Sequence, residues 1–98
     1  MTRDDVLTRL RTHRDELRRA GVVRLSLFGA VARGETGAAS DIDLVAAFDV
    51  RRRLSLLDVV GLEQCLAALL GRPVDLVEEG CLGPRLRAEV ARDAIHAF

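Results

Sequence analysis

The chain of 98 residues is long enough for one compact domain, and we expect a single domain over residues 1–98. Apolar residues make up 49% of the chain, which argues against disorder. Fifteen arginines balance fifteen acidic residues, so strong direct binding to nucleic acid is not expected. The start of the chain lacks a signal-peptide core, and no apolar run is long enough to span a bilayer, so we expect a cytoplasmic protein without membrane association.

The first third of the chain predicts a helix, a strand and a second, short helix. Thr2 and Asp5 have capping-box spacing, and Gly21 is a natural helix stop. Between them, apolar residues recur at helical spacing (Val6, Leu7, Leu10 and Leu17). The β-rich segment Val22–Phe28 predicts a strand with Val23, Leu25 and Leu27 on one face, and Ala30–Arg33 is short and helix-prone.

The remaining elements alternate between strands and helices. In order, they are a loop at 34–39, a strand at about 41–48, a helix at 54–70, a short strand at 73–77, a helix starting at Pro84 and a possible fourth strand at 94–98. This order of helix, strand, helix, strand, helix, strand, helix predicts an α/β (α+β) fold. A small mixed sheet of three to four strands is packed with helices.

A pair of carboxylates marks the start of the second strand. Because side chains alternate along a strand, Asp41 and Asp43 point the same way, roughly 6.5–7 Å apart, while Ile42 and Leu44 face the core. Aspartate is disfavoured in strands, and two like charges on one face repel each other. A divalent cation such as Mg²⁺ between them would remove this repulsion. Taken alone, the pair also fits a solvated strand face.

The turn before this pair favours the metal interpretation. Gly29 follows the first strand and allows the backbone to approach a ligand closely. The unpaired N–H groups at the start of the next short helix can bind an anion. A nucleoside triphosphate with bridging Mg²⁺ requires N–H groups that donate hydrogen bonds to its phosphates and, beside them, paired carboxylates that bind the metal.

The stretch FGAVARGETGAASDIDLV resembles the signature of the minimal nucleotidyltransferases, which belong to the DNA polymerase beta superfamily. That signature is Gly-Ser, ten residues, then Asp-x-Asp. Here Gly29-Ala30 is followed by ten residues and then by Asp41-Ile42-Asp43. The internal Ala32-Arg33-Gly34 and Ser40 also resemble the family. Ala30 stands where the family has serine, and losing its hydroxyl contact to phosphate would cost on the order of 1.5–3 kcal/mol.

The resemblance implies a nucleotidyltransferase fold and a set of site residues. Asp75 would be a third carboxylate on the next strand, completing a catalytic and metal-binding set with Asp41 and Asp43. Two Mg²⁺ ions would be held there, with ATP as the substrate. Nucleotide contacts would come from residues of the signature (Gly29, Ala30, Arg33 and Ser40).

The resemblance also implies an acceptor for the nucleotide. Stand-alone minimal nucleotidyltransferases act as antitoxins beside a small, all-helical HEPN-type toxin and transfer AMP from ATP to a toxin tyrosine. Two alternatives stay open. The chain can be a non-catalytic interaction module with a nucleotide site weakened at Ala30, or the catalytic subunit of a small-molecule nucleotidyltransferase.

Other features outside the signature receive a structural interpretation. Arg51, Arg52 and Arg53 form a basic run of the kind usually found in solvated loops, and its relation to a partner stays open. Cys65 and Cys81 lie in apolar surroundings and are expected to be buried thiols rather than a disulfide or zinc ligands.

Overall fold

A computed structural model describes residues 1–35 and 41–98. The helices and strands in chain order are α1 (Arg3–Thr12), α2 (Arg14–Arg19), β1 (Val22–Phe28), α3 (Gly29–Ala32), β2 (Ile42–Phe48), α4 (Leu56–Leu70), β3 (Val74–Glu78), α5 (Pro84–Asp93) and β4 (Ile95–His96). Short 3-10 turns occupy Val50–Arg52 and Glu79–Cys81. No helix in these two ranges is long and apolar enough to cross a membrane.

The four strands form one mixed sheet in the order β3-β2-β1-β4. Strand β1 runs antiparallel to both β2 and β4, whereas β2 and β3 are parallel. The parallel pair requires a crossover connection, which α4 supplies. The predicted α/β class and mixed sheet are therefore confirmed, and the possible fourth strand is present at the β1 edge.

Local signals in the sequence set the ends of several helices. A capping box forms at Thr2 with Asp5, as the spacing predicts, and a second one forms at Ser55 with Asp58. Gly71 ends α4 in the left-handed conformation. The first helix differs from expectation because it breaks at His13 into α1 and α2.

The two faces of the sheet carry separate apolar clusters. One face, with Leu25, Leu27, Ile42 and Leu44, packs against α1, α2 and α4 in the main core. The opposite face, with Phe28 and Val45, packs against Leu82 and α5. Because side chains alternate along β2, Asp43 shares the α5 face with Val45. The predicted inward positions of Ile42 and Leu44 are confirmed, as both are 0% exposed.

Expectations about Val23 and the cysteines are wrong. Val23 is 44% exposed because the pairing with β2 shifts register between Val22 and Arg24, which turns one residue out of the alternation. Both cysteines are exposed free thiols. The buried stripe of α4 runs through Leu62, Leu66 and Leu70, so Cys65 lies beside it, and Cys81 lies in an exposed turn.

Candidate active site

Asp43 and Asp75 are direct neighbours across the parallel strands β2 and β3. Adjacent strands lie about 4.8 Å apart, so the two residues sit side by side on the α5 face. Asp41 immediately precedes β2 and is exposed. The fold therefore gathers the three predicted carboxylates at one end of the sheet, although Asp75 lies more than thirty residues beyond Asp41 and Asp43 in the chain.

Gly29 lies against this carboxylate group. Asp43 pairs with Phe28, the last residue of β1, so the turn into α3 passes next to the Asp43 side chain. Gly29 has φ +76°, and a Cβ atom at this position would collide with Oδ2 of Asp43. The glycine predicted to admit a ligand also admits a carboxylate of the site itself.

The charges around Asp43 disfavour its ionised form. Burial raises the pKa of Asp43, and the negative charges of Asp75, Glu89 and Asp41 raise it further. Arg33 lowers the pKa of Asp43 but ranks last among these influences. A cation placed at this group would reverse the balance, because it would stabilise the ionised carboxylates.

The donor set fits a divalent cation by chemical type. Within residues 1–35 and 41–98, no three His, Cys, Asp or Glu side chains converge as a ready-made metal cage. Mg²⁺ does not require one, because it usually binds through one or two carboxylates and completes its shell with water and substrate phosphates. The adjacent Asp43 and Asp75, with Asp41 nearby, meet that requirement.

Arg33 is tied to neighbouring acids rather than directed freely into the site. Its guanidinium donates to Asp93 at 2.7 Å and to Glu35 at 3.3 Å, and lies 3.9 Å from Glu89. The Asp93 side chain is only 5% exposed and also contacts Arg92. Hydrogen bonds to Glu35 and Asp93 raise the pKa of Arg33. In this arrangement Arg33 links the end of α3 to α5, and its predicted contact with nucleotide stays a prediction.

Ala30 and Ser40 are the two remaining residues of the signature. Ala30 is half-buried in α3, where its carbonyl accepts a hydrogen bond from the Glu35 N–H at 2.9 Å. Ser40 lies outside the described residues. The predicted nucleotide contacts of both residues stay predictions.

Sequence reasoning missed Glu89 and Asp93, the two acids that α5 brings to this end of the sheet. Glu89 influences the Asp43 charge, and Asp93 holds Arg33. Their spacing of four residues puts them on one helix face, which was visible in the sequence. Nothing in the sequence indicated that this face would meet the signature.

Comparison with known proteins shows the family of this chain. Residues 10–96 match the model of the nucleotidyltransferase domain. The chain belongs to this family. The match covers most of the chain, and it confirms the predicted family and the enzyme class, a nucleotidyltransferase.

Two known proteins resemble this chain over nearly its whole length. The protein adenylyltransferase MntA of Thermococcus cleftensis is 36% identical over 97 residues, covering 98% of this chain and 96% of the relative. A solved structure described as a minimal nucleotidyltransferase has 42% identity and a TM-score of 0.80, covering 97% of this chain and 95% of the other. These similarities confirm the predicted nucleotidyltransferase fold.

A more distant structure shares the fold alone. It is a complex of a tri-AMPylated HEPN toxin from Shewanella oneidensis with an MNT antitoxin. The matched chain has 19% identity and a TM-score of 0.62, over 89% of this nucleotidyltransferase and 70% of the other chain.

Proposed function

We propose that residues 1–98 form a single nucleotidyltransferase domain that transfers AMP from ATP to a HEPN-type toxin and thereby neutralises it. The observation that carries this proposal is the pair Asp43 and Asp75, side by side on parallel strands with the Gly29 turn packed against Asp43. The 36% identity to a protein adenylyltransferase over nearly the whole chain supports the choice of reaction. The cytoplasmic location predicted from the sequence is part of the same proposal.

Asp41, Asp43 and Asp75 would hold two Mg²⁺ ions. Bound there, the ions would supply charge neutralisation for an in-line displacement at the α-phosphorus of ATP. Asp75 is exposed and adjacent to Asp43, so it is available to orient the acceptor hydroxyl and receive its proton. The hydroxyl oxygen bonds to the α-phosphorus, the bond to the leaving phosphate breaks, and pyrophosphate departs.

The turn at Gly29 and Ala30 would bind the β- and γ-phosphates through backbone N–H groups, assisted by Ser40. Only glycine allows the backbone to pass this close to Asp43, so phosphates bound at the turn would lie next to the carboxylates. Arg33 would contribute positive charge beside the phosphates while holding α3 to α5.

The transferase proposal is tested by incubating the chain with labelled ATP, Mg²⁺ and a purified HEPN-type toxin. We expect label on the toxin, and mass spectrometry should find added AMP. Asp43→Asn should lower transfer by about 10³-fold, since a metal ligand contributes several kcal/mol of charge stabilisation. The control Asp15→Asn makes the same change at an exposed carboxylate of α2 and should transfer normally. Normal transfer by Asp43→Asn would refute the catalytic role.

Ala30 favours a second candidate, an interaction module that neutralises its partner by binding alone. Alanine removes the hydroxyl that the family signature carries at this position. The two functions separate in a toxicity assay with Asp43→Asn. A transferase loses neutralisation with this variant, whereas a binding module keeps it.

A further inference from the structure

The end of β2 opposite the carboxylates leads into an unusually apolar surface. We call the segment Val50–Arg53 together with Leu56, Leu57 and Val60 the basic–apolar patch. Val50 is 88% exposed, Leu56 79%, Leu57 82% and Val60 40%. The three α4 residues are neighbours on one outer helix face because they are spaced three and four positions apart. A cluster of large, exposed apolar side chains is typical of an interaction site.

The arginines of the patch are available for an external partner. Arg51 pairs with Asp49, but its side chain is 86% exposed. Across residues 1–35 and 41–98, Arg52 and Arg53 have no ion-pair partner, and Arg52 donates to the Arg19 carbonyl. The Arg52 charge also lowers the pKa of Asp49 and Asp58, so carboxylates of the chain compensate it in part. Beside exposed leucines, two guanidinium groups that form no ion pair with a described residue favour a partner surface that carries carboxylates.

Backbone strain and a cavity accompany the exposed side chains. Arg53 adopts the left-handed conformation with φ 47°, which is costly for a residue with a Cβ atom. Beside it, a cavity of about 230 Å³ is lined by apolar side chains (Phe48, Val50, Leu54 and Val59), with Asp49, Arg53 and Glu78 also on its wall. Its volume suits one large apolar side chain of a partner, which is the usual form of an interface anchor.

We propose that the basic–apolar patch is the docking surface for the HEPN-type partner, which meets it with an apolar anchor surrounded by carboxylates. This inference rests on the proposed function for the identity of the partner. A second copy of this chain fits poorly, because two-fold pairing would bring Arg52 and Arg53 against the same arginines. A nucleic acid fits poorly as well, because its phosphate backbone offers nothing for Leu56 and Leu57 to pack against.

The position of the patch suits a partner that is also a substrate. Asp43 is at the start of β2 and Val50 follows its end, so the two are about 20 Å apart along the strand. A partner bound at the patch leaves Asp43 and Asp75 uncovered. The same partner can therefore be held at one end of the sheet while a segment of its chain enters the other end.

The test measures binding of the purified chain of residues 1–98 to a purified HEPN-type toxin. Leu57→Asp and Arg52→Glu should each weaken binding by about 30-fold or more, the loss expected at an interface hot spot. Leu57 is the second residue of α4, where an acidic side chain favours the helix, so the variant should fold. Matched controls are Gln64→Asp on the same helix and Arg14→Glu on α2, which should bind normally. Circular dichroism and thermal melts verify folding of all four variants.

Each outcome decides for or against the docking surface. Wild-type affinity in Leu57→Asp, or no binding by the wild-type chain, overturns the proposal. It is also overturned if the patch variants lose self-association, RNA binding or binding to anionic vesicles but still bind the HEPN-type protein with wild-type affinity. Asp43→Asn should bind like the wild type without transferring AMP. If the wild-type chain binds through the patch and no AMP reaches the partner, the docking surface stands and the transferase proposal fails.

Discussion

The two ends of β2 carry opposite charge and are built differently. At the start of the strand, Asp43 is half-buried between β1 and β3, and Gly29 packs against it. Beyond the far end, Leu57 and the arginines at 51–53 are exposed to solvent. The acidic end is held in place by contacts within the chain, whereas the basic end exposes side chains that can contact a partner protein. Substitutions should therefore have different consequences at the two ends.

After Asp43→Asn, the largest effect is expected from Gly29→Ala at the acidic end. The new Cβ would collide with Oδ2 of Asp43, and φ +76° strains any residue other than glycine. A displacement of about 1 Å in a catalytic group costs about 100-fold in rate, so transfer should fall by at least that factor. Steady-state assays with labelled ATP measure this loss, and Gly34→Ala is the control. Gly34 also has positive φ, but a Cβ there meets no atom of the described residues within 4 Å. Equal losses in both variants would show that strain alone, not contact with Asp43, is responsible.

The next largest effect distinguishes the two faces of α4. Leu66 is 1% exposed, and Leu66→Ala should lower the free energy of unfolding by about 2–5 kcal/mol. Leu57 is 82% exposed, and Leu57→Ala should change it by no more than about 0.5 kcal/mol. Urea denaturation of both variants gives the two values. A large loss of stability in Leu57→Ala would mean that this residue supports the fold and is not kept for a partner.

A smaller effect is expected when the signature hydroxyl is restored. Ala30→Ser should add a hydrogen bond to the nucleotide phosphates, worth about 1.5–3 kcal/mol. The dissociation constant for ATP, measured by calorimetry, should fall about tenfold or more. Ala68→Ser makes the same change at an exposed position of α4 and should leave the constant unchanged. An unchanged constant in Ala30→Ser would show that the side chain at this position does not reach the phosphates.

The smallest effect is a pH dependence of stability at Asp43. Because its pKa is raised in the folded chain, the folded state holds this proton more tightly than the unfolded state. Without divalent cation, stability should therefore decrease as pH rises from the ordinary carboxyl pKa of 3.8 through the raised pKa. Asp43→Asn should be slightly more stable than the wild type above this window and equal to it below.

Denaturation midpoints over the range of about pH 3–7 measure this difference. Addition of Mg²⁺ should stabilise the wild type at neutral pH more than Asp43→Asn, because a cation favours the ionised carboxylate. If the midpoint difference between the wild type and Asp43→Asn stays constant with pH, the raised pKa of Asp43 is not the cause of the pH dependence.

Much of the fold follows from local patterns. The capping boxes, Gly71 and the alternation around Ile42 and Leu44 each act over a few residues, so their structural consequences were predictable. The exposure of Val23 was not predictable, because it depends on a register shift between two strands. The exposure of Cys65 depends on which face of α4 meets the sheet.

For the candidate site, the sequence by itself determined the residue types, their spacing and the face of the strand on which each lies. Gly29, Asp41 and Asp43 identify the family because their spacing is a property of the chain. Only the tertiary structure placed Asp75 beside Asp43, joined Arg33 to Asp93 and separated the acidic end from the basic–apolar patch. The physical reason is that strand pairing and the packing of α5 bring together residues far apart in the chain. Such contacts depend on the packing of all elements at once, and no local pattern encodes them.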